Sequence, residues 1–160
     1  MKAEVSFRQA TAADLPAIVD LWEVMQLHHT PYDPLYYPLK PRQAYLEAIR
    51  PHLLKMIEEP GTQFLIAETK GRAVAYLIAR MGQKPPVFQE IKTMTIQEVA
   101  VLPEYRRQGI MRRLYDEVEA EARRRGVAIV ELMVDVDNPA QAAYARLGFS
   151  RRHVKMVKHL

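Results

Sequence analysis

A chain of 160 residues, 49% hydrophobic and 26% charged, has the length and balance of one globular domain with a buried core. No apolar run approaches the ~20 residues of a membrane-spanning helix, and the absence of cysteine excludes disulfides, thiolate metal sites and a cysteine acyl intermediate. The net charge of +4 lies wholly in residues 151–160, which hold Arg151, Arg152, Lys155 and Lys158 and no acid, so residues 1–150 sum to zero and lack a nucleic-acid binder's broad basic field.

The opening Met1-Lys2-Ala3-Glu4-Val5 has no apolar signal stretch, and cytoplasmic residence is expected. Val5 to Gln9 reads as a first strand. Thr11-Ala12-Ala13-Asp14 is a capping-box-like start, with Asp in place of Glu. Leu15, Ile18, Leu21, Trp22 and Met25 then recur at helical spacing. Residues 30–41 carry four prolines among Tyr32, Tyr36 and Tyr37, which predicts a long aromatic loop. A second helix is expected over about 41–58, interrupted or kinked at Pro51.

Phe64–Glu68 and Arg72–Arg80 read as strands joined by the turn signal Thr69-Lys70-Gly71. Gln83-Lys84-Pro85-Pro86 is a loop, and Ile91 to Leu102 is a long strand. Ile110, Leu114, Val118 and Ala122 form one stripe of a helix that ends at Gly126, with arginines in its last turn. Ala128 to Val136 is the next strand, Pro139 to Leu147 a short helix, and Phe149 onward a final strand. The cationic tail suits a solvated edge strand, because Lys and Arg discourage edge pairing. The order is β-α-α-β-β-β-α-β-α-β. Its later strand–helix–strand unit requires parallel pairing and its hairpins antiparallel pairing, so the fold class is α/β with a mixed sheet.

Residues 99–112 are the most informative. A β-branched run stops at Pro103. A loop follows with Arg106, Arg107, Arg112 and Arg113, no carboxylate from 105 to 113, and Gly109. A helix begins there, and its first N–H groups lack internal partners. With the macrodipole they favour a phosphate or pyrophosphate.

This segment resembles the acyl-CoA loop of the GNAT superfamily of N-acetyltransferases. The family pattern Arg/Gln-x-x-Gly-x-Gly/Ala falls on Arg106-Arg107-Gln108-Gly109-Ile110-Met111, with Met111 where the family usually has Gly or Ala. Asn138-Pro139-Ala140-Gln141-Ala142-Ala143-Tyr144-Ala145-Arg146-Leu147-Gly148-Phe149 resembles the second signature, an Asn before a short helix carrying Tyr and then Gly-Phe. The Asn-to-Tyr spacing is one shorter than usual, which makes Asp137 the other claimant to the Asn position.

The resemblance implies one GNAT domain over residues 4–160, with a splayed central strand pair. It implies acetyl-CoA as co-substrate and an amine acceptor, with direct transfer in a ternary complex. By resemblance, Val99, Ala100 and Val101 offer backbone groups to the pantetheine arm. Arg106, Arg107, Gln108, Gly109, Ile110, Met111 and Arg112 cradle the pyrophosphate, and Asn138 and Tyr144 complete the cofactor site. Tyr144 assists the departing thiolate, and Glu98 takes the acceptor's proton. His29, Tyr32 and Tyr36 line the acceptor side. On the residues alone, Glu98 is equally an outward-facing strand residue and Tyr144 a core tyrosine. No metal is implied, since His28 and His29 point apart on a helix and His52, His153 and His159 are scattered. No nucleic acid or membrane partner is expected, and a homodimer is common in the family. The alternative is an acyl-CoA-binding sensor or structural module without turnover. Whether Glu98 and Tyr144 converge on the thioester discriminates the two.

Overall fold

The computed structural model describes residues 4–82 and 84–160. The opening tripeptide Met1–Ala3 and Gln83 of the proline loop lie outside the described residues.

Strand β1 (Ser6–Gln9) leads into a 3₁₀ turn and helix α1 (Leu15–His29). The carboxylate of Asp14 accepts from the backbone N–H of Thr11 at 2.8 Å, so the short acid closes the helix start. Arg8 donates to both oxygens of Asp14, at 2.8 and 2.9 Å, and to Glu68 at 2.8 Å. That pairing ties the cap to the sheet. Ile18, Val19, Leu21, Trp22 and Met25 are buried along α1. Helix α2 (Arg42–Glu58) runs continuously through Pro51.

Strands β2 (Gln63–Thr69) and β3 (Arg72–Gly82) form a hairpin. Its two central residues, Lys70 (φ 50°) and Gly71 (φ 74°), both have positive φ. That is the turn geometry whose twist matches a right-handed hairpin. β4 (Thr93–Val101), α3 (Ile110–Arg124), β5 (Ile129–Leu132) and α4 (Gln141–Arg146) complete the regular elements. The sheet order is β1-β2-β3-β4-β5; the first three pairings are antiparallel and β4–β5 is parallel. The fold is the expected mixed α/β sheet.

α1 packs on α2 and against β3 and β4, while α3 packs against β2, β3 and β4. β3 is consequently buried without a break from Ala73 to Ala79. Along α3, Ile110, Leu114, Val118 and Ala122 are buried as their spacing predicts. Each large side chain so buried contributes roughly 1.5–3 kcal/mol. Among the described residues no helix is long and apolar enough to cross a membrane.

Two expectations are corrected. β5 ends at Leu132, four residues before Val136. Met133 and Val136 are exposed, and the carboxylate of Asp135 turns to Tyr37. The final strand expected from Phe149 is not formed within this chain: residues 151–160 lie outside the sheet and are exposed throughout. A strand is stable only with a ladder partner, and this basic segment runs instead over the loop between α1 and α2. Lys155 sits 5.1 Å from the Tyr36 ring centre and His159 2.8 Å from Asp33.

Candidate active site

The β4–β5 ladder runs from Thr93–Ile129 to Ile96–Leu132 and stops. β4 continues with β3 as its partner through Val101, so Gln97 to Val101 have no sheet neighbour on the β5 side. A bulge sits at the same place. Ile78 opposes Glu98 and Ala79 opposes Ile96, leaving Gln97 as the extra residue. Bulges bend a strand and re-aim side chains, and this one marks where the two strands part.

Glu98 is directed inward. Tyr76, fully buried on β3, donates its hydroxyl to Glu98 Oε2 at 2.8 Å and lies 3.9 Å from Met25 Sδ of α1. Tyr76 and Glu98 are diagonal neighbours on one sheet face, which brings long side chains within reach. Burial pushes the Glu98 carboxyl above the usual carboxylate range; the Tyr76 hydrogen bond partly opposes it. Burial and the Glu98 charge together push the Tyr76 phenol up.

At the C-terminal end of β4 the chain enters the arginine loop. Arg107 (φ 58°) and Gly109 (φ 82°) both adopt left-handed backbone. Gly109 is the N-cap of α3, and no side chain caps the helix. The first amides of α3 therefore face outward without a side-chain acceptor. A Cβ built at Gly109 meets nothing within 4 Å, so there is open space above the helix start.

The arginines are not equivalent. Arg106 Nε donates to the carbonyl of Val101 at 3.1 Å, on the open side of β4. Arg112 pairs with Asp116 at 2.9 Å, and Arg113 lies 4.2 Å over the Phe7 ring. Arg107 has no ion pair or side-chain hydrogen bond among the described residues. Gln108 donates to the carbonyl of Glu104 at 2.9 Å and braces the loop. Ile110 is buried, so only its backbone faces the loop, and Met111 is half-buried. Val99 is half-buried and Ala100 buried. Arg123, Arg124 and Arg125 at the far end of α3 pair with Glu119 and Glu121.

The aromatic segment after α1 closes on the loop that leaves β5. Tyr37 donates to Asp135 Oδ2 at 2.9 Å, and the Asn138 amide is 3.4 Å from His29 Nε2. His29 packs between Tyr32 and Tyr37, with ring centres 5.7 and 6.3 Å away, and Tyr32 shares a 2.7 Å hydrogen bond with His28. Desolvation lowers the His29 pKa, and the neighbouring His28 adds to this. Burial raises the Tyr32 phenol; Asp135 adds to that rise and Arg106 opposes it. The same burial, with the Asp135 hydrogen bond, pushes Tyr37 up to about 12. His29 thus contacts the β5–α4 loop at Asn138, and Tyr32 feels the charges of both Asp135 in that loop and Arg106 in the arginine loop. Tyr36 is turned outward beneath Lys155.

Asn138 Oδ1 accepts from Ala140 N–H at 2.9 Å, which organises the entry to α4. Tyr144 lies on α4 with its ring 5.9 Å from Phe149, which in turn meets Tyr115 at 5.4 Å. Burial raises the Tyr144 phenol. Its hydroxyl has no hydrogen bond to another described residue. Tyr76, Asp135 and the Gln97 bulge had not been singled out in the sequence. Tyr76 sits inside a continuous apolar run with no periodic signal, and a bulge is visible only once two strands are in register.

The profile of the acetyltransferase (GNAT) family matches residues 21–149. An uncharacterized N-acetyltransferase of Methanocaldococcus jannaschii is 27% identical over 150 residues, which are 88% of this chain and 63% of that relative. The chain thus spans under two-thirds of that relative's length. A Bacillus halodurans protein, solved as a tetramutant, superposes with a TM-score of 0.88 at 20% identity, covering 97% of this chain and 99% of its own. An aminoglycoside N-acetyltransferase solved in complex with CoA gives a TM-score of 0.74 at 17% identity, covering 100% of this chain and 97% of its own. With the family profile spanning most of its length, this chain belongs to the acetyltransferase (GNAT) family.

Proposed function

We propose that this domain moves an acetyl group from acetyl-CoA to an amine by direct attack within a ternary complex. One observation carries the reading. The β4–β5 ladder ends at Ile96–Leu132 beside the half-buried carboxyl of Glu98, and the strand that is thus left open runs into an uncapped helix start at Gly109. An extended thioester ligand with a pyrophosphate fits that sequence of features. Free backbone on β4 suits its amide-bearing arm, and the α3 amides with Arg107 suit its phosphates. The open space at Gly109 leaves room for the phosphates to approach. The aminoglycoside N-acetyltransferase with the same fold was solved with CoA, which agrees with this ligand.

When bound, acetyl-CoA supplies an activated acyl group on sulfur. The chain's residues act around it. Glu98 takes a proton from the incoming ammonium, so the amine nitrogen can attack; its raised pKa makes it a stronger base than an ordinary carboxylate. Tyr76 holds that carboxylate in place. Backbone N–H groups freed by the splay stabilise charge on the carbonyl oxygen. Tyr144, with its hydroxyl uncommitted, gives a proton to the departing sulfur and regains one from water. His29 and Tyr32 line the acceptor's approach.

The test is a calorimetric titration with acetyl-CoA, followed by an amine panel read by thiol release. Binding with turnover on at least one amine supports the reading. Binding without turnover on any amine favours an acyl-CoA sensor. No binding overturns both.

A further inference from the structure

Residues 151–160 cross the side proposed for the acceptor without a ladder partner among the described residues. Val154 is 79% exposed and Met156 88%, so apolar burial does not hold the segment down. Three polar contacts do. Arg151 donates to Gln141 Oε1 at 3.0 Å, and Gln141 in turn donates to the carbonyls of Asp135 and Val136 at 3.2 and 2.6 Å. The Lys155 ammonium lies 5.1 Å from the centre of the Tyr36 ring, within cation–π range. His159 Nε2 is 2.8 Å from Asp33 Oδ2. The segment thus spans from the β5–α4 loop to the segment between α1 and α2, the same two walls that Tyr37 and Asp135 join.

Of the three contacts, the last responds to pH. Asp33 Oδ1 accepts the backbone N–H groups of Leu35 and Tyr36 at 3.1 and 3.0 Å and shapes the turn, which leaves Oδ2 for His159. A carboxylate has no hydrogen to give, so His159 Nε2 is the donor. Burial disfavours the Asp33 charge, but the Tyr36 N–H and His159 outweigh it and hold the carboxyl below its usual range. Asp33 therefore stays ionised across neutral pH, and the imidazole is the partner whose charge changes between about pH 5 and 8. The other groups around the pair are the Tyr36 and Tyr37 phenols, Lys155 on the Tyr36 ring and Asp135 across Tyr37, none of them an imidazole. His28 and His29 end α1 just before this wall and His153 belongs to the segment itself, so a test has to isolate His159.

We propose that residues 151–160 are a strap over the acceptor's approach, latched by His159 on Asp33 and loosened when His159 gives up its proton. The gating role rests on the acetyl-transfer reading above; the latch does not. While the imidazole is charged, an ion pair holds the strap down, and once it is neutral at most a hydrogen bond remains. The two side chains are 46% and 28% exposed. A pair so open to water shifts an equilibrium by up to about fivefold. That suffices here, because no strand ladder and no buried side chain of residues 151–160 adds to it. The direction is fixed: the strap is held at low pH and freed as pH rises.

The test uses the full chain and reads backbone order in residues 151–160 by NMR relaxation. In the parent, that order is expected to fall between about pH 6 and about pH 8. Asp33→Asn removes the charge but keeps an oxygen for the N–H groups of Leu35 and Tyr36, so the turn should persist and the strap should be loose at both values. His159→Lys carries a charge at both and should keep the strap ordered as pH rises. With an amine that is turned over, Asp33→Asn at about pH 6 should lower the amine's KM by up to about fivefold. Its kcat and acetyl-CoA affinity should match the parent's, and the KM difference should shrink as pH rises. A parent strap of equal order at both values overturns the latch. So does a pH response that survives in His159→Lys. A strap that loosens in Asp33→Asn while KM stays at the parent's value overturns the gate. Turnover on no amine removes the gate together with the acetyl-transfer reading, and the relaxation data still decide the latch.

Discussion

In the proposed reaction, Glu98 and Tyr144 carry separate halves of one proton inventory, and Glu98 is the half that serves the nucleophile. Its carboxyl is raised by burial, and a base works only when deprotonated, so activity should climb as pH rises through that elevated pKa. Glu98→Gln should lose that rising limb. Its deficit should be greatest at neutral pH and shrink at high pH, where free amine is abundant. A deficit of constant size across the pH range would assign Glu98 to positioning. In the same proposal, Tyr144 serves the leaving group. Tyr144→Phe keeps the ring against Phe149 and removes one unpartnered hydroxyl, so stability should hardly move. Turnover should fall by roughly 10²–10⁴-fold, the usual worth of a general acid. Acetyl-CoA affinity should not change. An analogue with a more acidic leaving thiol should narrow the gap between variant and parent. Parent-like turnover with acetyl-CoA would return Tyr144 to the core.

At the scale of elements, the helix start of α3 and that of α1 make contrasting cases. Gly109 has φ 82° and no atom where a Cβ would point. Gly109→Ala therefore carries a backbone cost of roughly 1–2 kcal/mol, readable in denaturant unfolding. Its methyl also enters the space proposed for the phosphates, and acetyl-CoA should bind about tenfold more weakly, or 1.4 kcal/mol. Unchanged affinity in a calorimetric titration would remove the loop from the site. At α1, Arg8 holds the Asp14 carboxyl far below its ordinary value of 3.8. The folded state thus takes up this proton less readily than the unfolded chain. The sign follows: the stabilisation is full above about pH 4 and is lost as pH falls further, toward the depressed folded pKa. Asp14→Asn should cost about 1 kcal/mol at neutral pH, the size of a lost helix cap, and should flatten the acid limb of an unfolding curve taken against pH. An acid limb as steep as the parent's would show that other carboxylates set it.

For the whole molecule, the apolar periodicities located α1 and α3, and the hairpin turn at Lys70–Gly71 was legible because both residues tolerate positive φ. The arginine loop was legible as a local sentence: strand, proline, cations, glycine, helix. What was hidden depends on contacts between distant segments. Glu98 lies in a run of alternating character, and only the Tyr76 hydrogen bond, 22 residues away in sequence, shows that it points inward. The end of β5 at Leu132 was hidden because Val134 and Val136 continue a perfect strand pattern; the Tyr37–Asp135 bond, across 98 residues, competes for that stretch. The missing last strand has the same origin, since an alternating pattern specifies a face and says nothing of whether a neighbouring strand is there to pair with it.

The Tyr37–Asp135 bond also gives the last prediction. It joins the segment between α1 and α2 to the loop between β5 and α4, the two walls around His29 and Tyr32. Tyr37→Phe keeps the ring against Tyr36 and His29 but removes the donor. Asp135 retains the backbone N–H of Asp137 on its other oxygen, so the carboxylate is not left without a partner. A net hydrogen bond to a charged group is worth roughly 1.5–3 kcal/mol, part of which water restores at a half-exposed site. Global unfolding should therefore shift little, while amide exchange in residues 30–37 speeds up relative to the sheet, because local opening of that segment breaks this contact while the sheet stays paired. If these walls shape the acceptor's approach, KM for the amine should rise severalfold with acetyl-CoA affinity unchanged. Parent-like exchange in that segment would show that ring packing, and not the bond to Asp135, holds the two walls together.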